Sequence, residues 1–91
     1  MSKYYLINIQ LKDENSLKGI HRNMDLFFKR LWIRPYESIY IVKSKYSTVQ
    51  IANILKHFMD ADDSLFVIKI DKEEWVVRSP DVQMTQLLND F

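Results

Sequence analysis

Asp60, Asp62 and Asp63 form the densest carboxylate cluster in the chain. Oxygens so close together could hold a divalent cation. A calcium-binding loop, however, also needs a central glycine and a later glutamate, and both are missing here. The run reads instead as a solvated turn between a helix and a strand. His21 and His57 each stand alone on the polar side of a helix pattern, with no second ligand at helical spacing. Ser38, Ser44 and Ser47 lack the glycines of a nucleophile elbow. One glycine in the whole chain leaves no phosphate-cradling loop, and the absence of cysteine leaves no thiolate zinc site or thiol nucleophile. No metal site and no cofactor are expected from these residues.

The positive signal is basic. Lys18, Arg22, Lys29, Arg30 and Arg34 lie on or after the first helix pattern, and Lys43 and Lys45 follow a strand pattern, with Tyr36 and Tyr46 nearby. Cations contact phosphates without reading sequence, and aromatic rings stack on bases. Residues 1–46 hold nine Lys/Arg and four Asp/Glu, whereas residues 47–91 hold four and eight. The net charge of +1 therefore hides a basic first half and an acidic second half. Folding is expected to intermingle the two. Asp13, Glu14 and Asp25 interrupt the patch, and a pI of about 8.0 is below that of a dedicated nucleic-acid binder.

The elements that must position these side chains follow from periodicity. Tyr4 to Leu11 alternates as a strand, with Tyr5, Ile7, Ile9 and Leu11 on one face. A helix starting near Glu14 or Ser16 carries the stripe Leu17, Ile20, Met24, Phe27, Phe28 and Leu31. Pro35 disfavours helix at Arg34, so Trp32 to Glu37 is an edge strand or bend. Ser38 to Lys43 is a strand. Ser47 and Gln50 have capping-box spacing at the start of a helix that runs to about Met59. Ser64 to Ile70 is a strand, Asp71 to Glu74 a turn, and Trp75 to Arg78 a last short strand. Ser79-Pro80-Asp81 opens a short helix with Pro80 at its first position.

This order predicts one α+β domain of the ferredoxin-like kind, β-α-β-β-α-β(-β), an antiparallel sheet with both main helices on one face. Residues 1–79 form the domain and residues 80–91 a C-terminal helical extension. No leader sequence is evident, no apolar run approaches the ~18 residues of a membrane span, and a cysteine-free chain suits the cytoplasm.

The sheet is apolar on both faces, although an antiparallel sheet wet on one side normally alternates more cleanly. A patch made of Tyr4, Leu6, Tyr40, Val42, Phe66 and Ile68 is expected to face away from the helices. Such a patch predicts a homodimer, with sheets face to face or edge strands shared. Cover by the C-terminal helix is the competing expectation.

The segments Tyr4-Tyr5-Leu6-Ile7, Glu37 to Lys43, and Ile54-Leu55 with Met59 to Ile70 together resemble the small SinR-family proteins. Those in turn are similar to the second CRISPR-associated adaptation protein, a ferredoxin-like dimer. The resemblance spans roughly residues 3 to 78 and rests on the ordered set rather than on one motif. It implies a sheet-to-sheet homodimer and a role with nucleic acid. Nuclease members of that family carry an aspartate near the end of the first strand, which is thought to hold a divalent metal across the dimer axis. The matching position here is Gln10, or Asn8. A neutral amide does not supply the charge that Mg²⁺ sites rely on. Asp13 is the remaining weak catalytic candidate, and only through a register shift.

Three functions are compatible with these residues. The favoured one is a non-catalytic dimer that binds nucleic acid or a protein partner, in a defence or mobile-element setting. The second is a small Mg²⁺-dependent nuclease of the adaptation or VapD-like type. The third is a phage- or plasmid-encoded inhibitor of a host protein.

Overall fold

The computed structural model describes residues 2–91. The chain is α+β, with three α-helices and a four-stranded antiparallel sheet. The elements are β1 (Lys3–Gln10), α1 (Leu17–Phe28), β2 (Trp32–Tyr36), β3 (Ile39–Ser44), α2 (Thr48–Lys56), β4 (Ser64–Ile70) and α3 (Val82–Asp90). Short 3-10 turns at Glu14–Ser16 and Lys72–Glu74 precede α1 and follow β4. The strand order is β2-β3-β1-β4, so β2 and β4 are the edges.

One core lies between the sheet and the first two helices. From β1 come Tyr5, Ile7 and Ile9, from α1 Ile20, Met24 and Phe28, and from α2 Ile51 and Leu55. Each large apolar side chain buried there contributes about 1.5–3 kcal/mol. The helix ends are set locally. Ser47 Oγ accepts from the Gln50 amide at 3.1 Å and Gln50 Oε1 accepts from the Ser47 amide at 2.8 Å, completing the expected capping box. Asp81 caps α3 by accepting from the Gln83 and Met84 amides, so Pro80 lies outside the helix rather than at its first position.

β3 sits in the opposite phase from the one expected. Directly opposed residues of antiparallel strands share a face. Val42 faces Tyr5 and Tyr40 faces Ile7, which puts both under the helices at 0% and 1% exposure. Tyr40 and Val42 therefore do not belong to the outer patch. Ile39 and Ile41 take their places, opposite Asn8 and Leu6. A strand that is apolar in both phases gives periodicity nothing to choose between.

The expected strand at Trp75 to Arg78 does not pair. The segment crosses the outer face of the sheet as irregular chain and leads into α3. Trp75 stands edge-on to Tyr4 with centroids 5.7 Å apart, and Phe91 does the same at 5.9 Å. Trp75, Val77 and Leu88 enclose an apolar cleft of about 320 Å³ against Leu6, Ile39 and Ile41. Val76, between them, is 94% exposed. The alternation from Trp75 to Val77 is real, but packing on the sheet satisfies it rather than a partner strand. The chain's own C-terminal segment thus covers much of the outer face, and Phe66 (58%) and Ile68 (39%) on β4 stay exposed.

Candidate nucleic-acid interface

Strand register sorts the charges along the sheet. β1 begins, β3 ends and α1 ends at one edge of the domain, as Lys3 opposite Ser44 and the Lys43 amide on the Leu31 carbonyl at 2.8 Å show. That end carries Lys29 and Arg30 from the α1–β2 turn and Lys43 and Lys45 from the end of β3. The rings of Phe28 and Tyr46 meet at 6.4 Å and hold the two segments together. The opposite end carries Asp13, Glu14, Glu37, Asp60, Asp62 and Asp63, from the loops after β1, β2 and α2. The two halves of the sequence intermingle, each end drawing charges from both, and the cations of the α1–β2 turn and of β3 gather where β1 starts.

The α1–β2 turn has a strained corner. Phe28 to Leu31 is closed by the Leu31 amide donating to the Phe28 carbonyl at 2.9 Å. Lys29 occupies its second position with φ 56° and ψ −123°. These are the angles of a type II′ turn, where glycine is the preferred residue. Holding a lysine there costs about 1–3 kcal/mol, and strain of this kind concentrates at functional sites.

The other expected basic residues are elsewhere. Lys18 and Arg22 are exposed on α1. Lys18 stands eleven residues before Lys29, about 16 Å along a helix axis at 1.5 Å per residue. Arg34 is on β2 near the acidic end, where its Nε donates to the Glu37 carbonyl at 2.8 Å. Two further cations join this end through the fold alone. Lys3 starts β1 at the basic end, and Lys72 places its Nζ 5.7 Å from the Tyr4 ring centroid, beside Lys43 at 5.6 Å. Lysines scattered at positions 3, 29, 43 and 72 show no shared spacing, so only strand pairing reveals them as neighbours. Acids share this end: Asp25, whose carbonyl accepts from the Lys29 amide at 2.9 Å and whose Oδ1 accepts from Trp32 Nε1 at 2.9 Å, Asp71, Glu73 and Glu74 around Lys72, and Asp90 beside the Phe91 that packs on Tyr4.

The candidates for hydrolytic chemistry are engaged locally. Gln10 Nε2 donates to Asn8 Oδ1 at 3.0 Å. Asp13 Oδ1 accepts from the Asn15 amide at 2.9 Å and caps the turn before α1. Asp63 accepts from the Lys12 amide at 3.0 Å and the Asp60 amide at 2.7 Å, which makes the acidic run a stapled turn. Among the described residues, no group of three His, Asp or Glu side chains is placed to hold a metal ion.

His21 departs from the surface position expected of it. It is half-buried, with Nε2 2.7 Å from the Tyr40 hydroxyl and its ring 5.3 Å from that of Trp32. Burial, and then the Arg34 cation, hold its pKa below 6.5, while Asp25 acts against both. Burial raises the Tyr40 phenol above 10.0, with Arg34 opposing. His21 follows Ile20 by a single helical step, at the margin of the buried stripe.

No protein-family model matches the sequence, and no curated protein matches it. Among the described residues no helix is long and apolar enough to cross a membrane.

Proposed function

We propose that the chain is a ferredoxin-like, non-catalytic binding module that engages nucleic acid phosphates through its basic end and pairs with a second copy along β4. The alternation of strand-helix-strand units and the order β2-β3-β1-β4 support the ferredoxin-like reading. The resemblance to SinR-family proteins points the same way. The observation that carries the binding reading is Lys29, kept in a glycine-type turn conformation beside Arg30 and next to the Lys43–Lys45 segment. Exposed Phe66 and Ile68 on an edge strand support the pairing, since an uncovered apolar edge invites a partner strand. Hydrolysis is the weaker reading, because Asn8 and Gln10 bind each other and Asp13 serves as a cap.

The direct test is binding of a fluorescent single-stranded RNA, followed by anisotropy. Replacing Lys29, Arg30 and Lys45 together by alanine is expected to weaken binding at least tenfold, and replacing Lys18 and Arg22 to weaken it far less. Equal losses from the two sets would place the interface elsewhere.

A further inference from the structure

At the acidic end, the last part of β1, the start of α1 and the β2–β3 hairpin surround an open cleft of about 330 Å³. That is at the small end of ligand pockets and matches a single small metabolite rather than a nucleotide. Ile9, Leu11 and Leu17 supply apolar lining, and Arg34, Glu14 and Glu37 supply charge.

Arg34 is fixed in advance. The Glu37 carbonyl holds its Nε at 2.8 Å, and its guanidinium carbon lies 5.5 Å from the Tyr40 ring centroid. Tyr40 is itself buried at 1% exposure and anchored by His21 at 2.7 Å. The Glu37 contact uses one of five guanidinium N–H donors. A guanidinium already oriented loses little freedom when it takes a carboxylate on two parallel hydrogen bonds. The two glutamates around it disfavour a multiply charged phosphate, but they can accept from an ammonium group.

We propose that this cleft binds a free α-amino acid with an apolar side chain. Its carboxylate pairs with Arg34, its ammonium with Glu14 or Glu37, and its side chain lies on the half-buried Leu11 and Leu17. The site is independent of the basic end.

The test is an NMR titration of the full chain with L-leucine, isocaproate (no amine) and isoamylamine (no carboxylate). L-leucine is expected to give saturable shifts at the Ile9, Glu14 and Ser38 amides. Each analogue should bind about tenfold more weakly or worse, having lost one charge-assisted contact. Arg34→Lys keeps the charge but not the fork, and should weaken L-leucine about tenfold. Glu14→Gln with Glu37→Gln should weaken L-leucine without weakening isocaproate, a pattern that general unfolding cannot produce. No saturable shift with L-leucine, or equal affinity for L-leucine and isocaproate, overturns the proposal.

Discussion

The Nε2 of His21 lies 2.7 Å from the hydroxyl of Tyr40, joining the margin of α1 to the centre of the sheet. Because the folded state holds the imidazole below 6.5, the unfolded chain takes up that proton at a higher pH than the folded one. The stability contributed by neutral His21 is complete above 6.5 and declines as pH falls below it, until the folded-state imidazole also protonates. Urea midpoints measured between about pH 8 and pH 5 should therefore fall more in the wild type than in His21→Gln. Parallel pH profiles would show that His21 has no such role.

Lys29 trades stability for charge. Lys29→Gly removes the steric cost of φ 56° and is expected to raise stability by about 1 kcal/mol, read as a higher urea midpoint. The same variant should bind RNA several-fold more weakly. Gained stability with unchanged RNA binding would separate the strained corner from the interface.

The C-terminal segment and the β4 edge divide the outer face between them. Leu88, 8% exposed, should cost about 2–3 kcal/mol when replaced by alanine, whereas its neighbour Leu87, 42% exposed, should cost about 1 kcal/mol or less. Phe66→Asp with Ile68→Lys should abolish self-association in sedimentation equilibrium and leave the thermal midpoint nearly unchanged. A wild type that remains monomeric at high concentration would remove the pairing along β4.

Much of this arrangement was legible in the residues, and the losses have physical causes. Ser64 to Ile70 reads as a strand and is one, because acidic turns bound it on both sides. The Ser47–Gln50 box forms because its partners are three residues apart and need nothing from the rest of the chain. The phase of β3 was illegible, since Ile39 to Val42 is apolar in both phases and only pairing with β1 decides. Trp75 to Val77 shows a strand's alternation, yet the chain finds its cover on Tyr4 and Leu6 instead of at a sheet edge. The basic end was half legible. Lys29, Arg30, Lys43 and Lys45 stand out in the sequence as cations, but Lys3 and Lys72 join them, and Arg34 leaves them, only through strand register.

The most direct measurement is the salt dependence of RNA affinity. A site in which three or four cations contact phosphates predicts that log K falls against log salt with a slope of about −2 to −3 for single strands. Replacing Lys29 alone should make that slope shallower by about 0.7. No detectable binding at low salt, or a slope that Lys29, Arg30 and Lys45 do not influence, would contradict a phosphate-binding basic end.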